Sequence, residues 1–183
     1  MSLEATFIPG FDERTKNTNS CLYRAFPETA VVPYDHVDYN DNFPEQGRET
    51  VVVHSYGYYA FLMARAGGRL RACKRLLVID GWFPSKSRMS AELPTGVSCV
   101  FFFPTFGDRT DYPLEAVVRQ AMVSRADITV VRGVGFSHNL VYGAFGEAGV
   151  RELVSGLAQL PTERTSDVDH VMRMSDFLSE PPA

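Results

Sequence analysis

Short, continuous apolar runs alternate with stretches of helical spacing along most of the chain. Ala5-Thr6-Phe7-Ile8 reads as a strand closed by Pro9-Gly10. Thr29–Val32, Thr50–Val53, Arg75–Ile79, Val97–Phe103 and Ile128–Val131 read as further strands. Between them, residues 13–26 predict a helix with Cys21, Leu22, Ala25 and Phe26 on its apolar face. Residues 58–71 begin apolar almost all round, as a buried helix does. Residues 113–124 put Leu114, Val117, Val118, Ala121 and Met122 on one side, and 150–160 predict another helix. Strands that are apolar throughout, rather than alternating, belong to a parallel sheet covered on both faces. The pattern therefore predicts an α/β fold: a three-layer α/β/α sandwich with a mostly parallel sheet of about six strands. No repeat, low-complexity segment or linker divides residues 1–183, so one domain is expected. Residues 162–183 are polar, end in Pro181-Pro182 and read as a tail or a last helix.

Composition narrows the function classes. The 183 residues suffice for one domain with a sizeable core, and 45% hydrophobic with 22% charged residues is ordinary for a globular protein. A net charge of −4 gives no electrostatic reason to bind nucleic acid or a membrane surface. No apolar run approaches the roughly 18 residues of a membrane span. The start, Met1-Ser2-Leu3-Glu4-Ala5, lacks the basic and apolar regions of a secretory signal, so a cytoplasmic protein is expected. Cys21, Cys73 and Cys99 are odd in number and widely spaced, which fits reduced thiols. No Cys or His pair has metal-ligand spacing, so neither metal nor cofactor is expected.

An open α/β sheet collects its chemistry in the loops at the carboxyl ends of its strands. The most informative of these is Val51-Val52-Val53-His54-Ser55-Tyr56-Gly57-Tyr58-Tyr59-Ala60. It predicts a buried strand, a serine on a sharp turn and a helix. Such a reversal puts the serine at positive φ. Gly57 then removes a side chain where the helix would strike neighbouring backbone. Of the four histidines, only His138 follows the last core strand, in the glycine-rich loop Arg132–Asn139. His54 adjoins the serine, but its side chain is expected to point away from the hydroxyl. His36 lies in a polar loop and His170 in the tail. The loop after Val97–Phe103 carries Asp108 and Asp111. Asp111 suits a helix N-cap before Pro113, whereas Asp108 has no comparable structural task.

The Ser55-Tyr56-Gly57 turn, and the order serine, acid, histidine along the chain, resemble the α/β-hydrolase superfamily. The resemblance covers residues 5–160 and implies a minimal, lidless serine hydrolase of carboxylesterase or thioesterase type. Ser55 would be the nucleophile, His138 the base and Asp108 the orienting acid, with Asp111 as the alternative. Failing both, the acid would come from another strand end, such as Asp80, or a Ser-His dyad would operate. The oxyanion hole would use the amides of Tyr56 and of Phe11, the latter in the loop Ile8-Pro9-Gly10-Phe11. Trp82 and Phe83 would line the substrate site, with Phe11, Tyr56 and Phe106 as further walls. The substrate would be a small-molecule acyl ester, thioester or amide, or a peptide. Several features depart from the family pattern: Val53 stands where a small residue is usual, and Pro9 where a histidine is. The antiparallel strands that commonly open the fold are missing, and only Asp80–Gly96 occupies the place of a lid. These departures support the alternative, a non-catalytic hydrolase-like binding module. A lyase on the same elbow is a third reading. The sequence does not fix the oligomeric state.

Overall fold

In a computed structural model, the described residues are 4–10, 21–32, 42–82, 94–104, 115, 118, 127–138, 146–161 and 170–177. Their elements, in chain order, are β1 (Ala5–Ile8), α1 (Cys21–Ala25), β2 (Thr50–His54), α2 (Gly57–Ala66), β3 (Arg75–Ile79), β4 (Ser98–Pro104), β5 (Ile128–Val134), α3 (Gly146–Gln159) and β6 (His170–Arg173). The six strands form one sheet in the order β1-β2-β3-β4-β5-β6, and every neighbouring pair is parallel.

Both faces of the sheet are covered, which explains the uninterrupted apolar runs. Successive strand residues point to opposite sides. Ile8, Val51, Val53, Leu76, Val78, Cys99, Phe101 and Val130 join one core, together with Tyr58, Ala60, Phe61 and Ala64 of α2. Phe7, Val52, Leu77, Ile79, Val100, Phe102 and Val131 join the other, with Leu22 of α1 and Val150, Leu153, Val154 and Leu157 of α3. The result is three layers, as the pattern predicts. Val53 is fully buried and sits opposite Ile8 and Val78 in the ladder, so a β-branched residue is accommodated there. Arg75 fixes the start of β3 to the end of α3: its Nη2 donates to the carbonyls of Leu157 and Leu160, at 3.1 and 2.6 Å. A cation at a helix C-terminus is also favoured by the helix dipole.

Two elements differ from the sequence expectation. Thr29–Val32 is not a full strand. Glu28–Ala30 is a 3₁₀ turn closed by the Ala30 amide on the Pro27 carbonyl, and only Val31 makes a parallel bridge, to Phe7. The following Pro33 has no N–H with which to extend a ladder. The sixth strand comes instead from the polar tail: His170–Arg173 pairs with Val131–Val134. As an end strand it alternates half-buried and exposed positions, so it lacks the apolar run of a central strand. The helix read over 58–71 ends at Ala66, where Gly67 and Gly68, the latter at φ 79°, turn the chain out. Glu115 and Val118 are helical, within the helix expected at 113–124. Among the described residues, no helix is long and apolar enough to cross a membrane.

Candidate active site

The parallel ladder brings two strand ends side by side. His54 and Ile79 are the last paired residues of β2 and β3, so Ser55 and Asp80 leave the sheet together. Both have left-handed backbones, Ser55 at φ 49° and Asp80 at φ 43°. For Asp this conformation is tolerated, whereas for Ser it is uncommon and marks strain. Hydrogen bonds fix each turn. The Ser55 amide donates to the Ile79 carbonyl at 3.1 Å, and the Asp80 amide to the Phe102 carbonyl at 2.8 Å. The Ser55 carbonyl accepts from the amides of Tyr58 and Trp82, at 3.1 and 2.9 Å. The serine turn is therefore tied to the turn carrying Asp80 as well as to its own helix.

The turn dictates Gly57. A Cβ there would lie 2.3 Å from the Ile8 carbonyl oxygen and 2.8 Å from that of Pro9, well inside contact distance. The first turn of α2 thus presses on the end of β1, as the residue type led one to expect. From the same strand, Gly10 reaches the serine. A Cβ at Gly10 would stand 3.1 Å from Ser55 Cβ and 3.1 Å from His54 Nδ1. The loop after β1 therefore passes against the nucleophile candidate. Its next residue, Phe11, lies outside the described residues.

The third strand end supplies the imidazole. Beyond β5, Gly135 turns the chain at φ 85°, and Phe136 is buried with its ring 5.1 Å from Phe102. That anchor sets His138 over the sheet end. His138 Nδ1 bonds Asp80 Oδ2. The Asp80 side chain is only 6% exposed, and a carboxylate so buried needs a partner, which His138 provides. The carboxylate can only accept here, so Nδ1 carries the proton and the Nε2 lone pair is left available. Among the described residues, no hydrogen bond joins the Ser55 hydroxyl to the His138 ring.

The other expected site residues fall as follows. Tyr56 opens α2 directly after Ser55, with its ring 5.2 Å from that of Trp82 and 5.5 Å from that of Tyr59. These three rings, each half-buried, form a wall beside the serine. Asp108, Asp111 and Phe83 lie outside the described residues; among the described residues, the carboxylate bonded to His138 is Asp80. Its signal in the sequence was modest: an aspartate directly after a fully apolar strand and before Gly81, a pair suited to positive φ. His54, as the last residue of β2, alternates to the sheet face of Val52. It is buried, and its Nε2 lies 2.7 Å from the His138 carbonyl oxygen. Among the described residues, no group of His, Cys, Asp and Glu is arranged to hold a metal ion. Compared with models of protein families, with curated proteins and with solved structures, the chain has no match.

Proposed function

We propose that this protein is a serine hydrolase that cleaves an ester, thioester or amide through an acyl-enzyme on Ser55. The observation that carries this reading is the Asp80–His138 pair set beside a serine at positive φ, all at the carboxyl end of one parallel sheet. His138 Nε2 takes the proton of the Ser55 hydroxyl as Oγ attacks the substrate carbonyl. Asp80 holds the tautomer that makes this possible and stabilises the imidazolium that forms. It takes the role that the sequence pattern gave to Asp108 or Asp111. The Ser55–His138 contact closes on substrate binding, as catalytic hydrogen bonds often do.

Negative charge then develops on the carbonyl oxygen. The amide of Tyr56, at the mouth of α2, and that of Phe11, one residue beyond Gly10, are the donors we assign to it. Collapse of the tetrahedral intermediate expels the leaving group, which takes the proton from His138. A water deprotonated by His138 then attacks the acyl carbon and frees Ser55. Tyr56 and Trp82 flank the acyl or leaving group and favour a small apolar one. Buried, unoxidised Cys73 and Cys99 suit a reducing compartment, the cytoplasm.

Turnover of a short-chain activated ester tests the proposal. Ser55→Ala removes the nucleophile and should abolish turnover above the residual left by binding and oxyanion stabilisation. Unchanged turnover in Ser55→Ala would remove the serine from the mechanism. A native protein that binds acyl compounds without cleaving them would favour the binding-module alternative.

A further inference from the structure

His54 is a buried histidine, 2% exposed, that the acyl-transfer steps do not use. Its place between two loops is informative. As the last residue of β2 it shares the sheet face of Val52, opposite to that of Val53, and it immediately precedes Ser55. On one side its Nε2 stands 2.7 Å from the carbonyl oxygen of His138. A carbonyl only accepts, so Nε2 carries a proton and donates. The two imidazoles also lie together, with centroids 4.9 Å apart and planes 37° from parallel. On the other side, Nδ1 packs against the backbone of Gly10, so closely that a Cβ there would be 3.1 Å from it. One ring thus touches the loop carrying the base and the loop running past the nucleophile.

The short stretch between Phe136 and His138 needs such a tether. Phe136 anchors the loop in the core, but His138 lies two residues further on and is partly exposed. Asp80 holds its side chain and His54 holds its main chain. With both ends fixed, rotation of the loop would have to break two hydrogen bonds at once.

We propose that His54 is a positioning residue, which holds the His138 main chain through Nε2–H and keeps the imidazole between Asp80 and Ser55. This rests on the hydrolase reading for its kinetic consequence, but not for its geometric one. His54→Phe keeps a ring of similar size and removes the donor. His54→Gln restores an N–H at comparable reach. The Nδ1–H of His138, bonded to a carboxylate, gives a downfield proton resonance. That resonance should be present in the wild type and in His54→Gln, and lost to exchange in His54→Phe. For ester hydrolysis, His54→Phe should lower kcat by about 10²-fold through misplacement of the base, with KM little changed. His54→Gln should recover most of kcat.

A sharp His138 resonance and wild-type kcat in His54→Phe would overturn the proposal. So would equal losses in His54→Phe and His54→Gln at matched folded fraction, because the donor would then be irrelevant. A wild-type protein without Ser55-dependent turnover would instead defeat the hydrolase reading. The resonances of the three proteins would still decide the tether.

Discussion

Asp80 and His138, 58 residues apart in sequence, are joined through Oδ2 and Nδ1, linking the turns that follow β3 and β5 across the end of β4. The ladder places Ser55 beside Asp80, so the serine turn adjoins the turn that carries the carboxylate bonded to the imidazole.

Asp80→Asn should lower ester turnover by up to about 10⁴-fold, because asparagine can hold the wrong tautomer and cannot stabilise the imidazolium. Asparagine tolerates positive φ, so the turn itself should survive. Asp108→Asn and Asp111→Asn should leave rates near normal. Steady-state kinetics of the three variants check this. A crippled Asp108→Asn beside a normal Asp80→Asn would return the acid to the loop after β4.

Gly57→Ala tests the strain at the elbow. Its Cβ would sit 2.3 Å from a backbone oxygen of β1, and backbone cannot yield as a side chain can. Overpacking of this kind costs about 1–3 kcal/mol, and relief must come from moving α2 away from β1. Urea denaturation should show the loss, and ester turnover should fall with it, since Ser55 moves with the helix. A variant with wild-type stability and rate would mean that the contact at Gly57 constrains nothing.

His138→Ala should abolish turnover, whereas His170→Ala should not. His170 lies on the end strand, opposite Val131 and far from the Ser55 turn in the ladder order. Rates compared at equal folded fraction decide the matter. A fully active His138→Ala protein would contradict the assignment of the base.

Burial pushes the Cys73 thiol from 9.0 up to about 11, despite the Arg65 charge and backbone hydrogen bonds that act in the other direction. The unfolded chain therefore releases this proton at lower pH than the folded one does. Its contribution to stability is complete below about pH 9 and declines as the pH rises towards 11. Denaturation midpoints measured across that window should fall more steeply in the wild type than in Cys73→Ala. Identical slopes would show that Cys73 is not responsible.

The geometry of the candidate site was legible in the sequence where its causes are local. Val51–Val53, Ser55 and Gly57 specify strand, turn and helix within a few residues, and the serine has the positive φ that this pattern implies. His138 was legible because it is the one histidine in the loop directly after the last central strand. Asp80 entered only as a fallback, because its pairing with His138 depends on which strand ends become neighbours, and register is a property of the assembled sheet. The same reasoning applies to His54, whose partner is a main-chain carbonyl that no residue type announces. For the fold, periodicity identified the strands that are buried on both faces. It missed β6, whose end position leaves half its residues in solvent, and it overextended Thr29–Val32, which makes a single bridge.

In the proposed mechanism Ser55 is an activated nucleophile. Incubation with a fluorophosphonate, followed by peptide mass spectrometry, tests it most directly, because the reagent needs no knowledge of the natural substrate. One adduct is expected, on Ser55, formed by the native protein, absent in Ser55→Ala and strongly slowed in His138→Ala and Asp80→Asn. A native, folded protein that forms no adduct, or one that Ser55→Ala still forms, would contradict it.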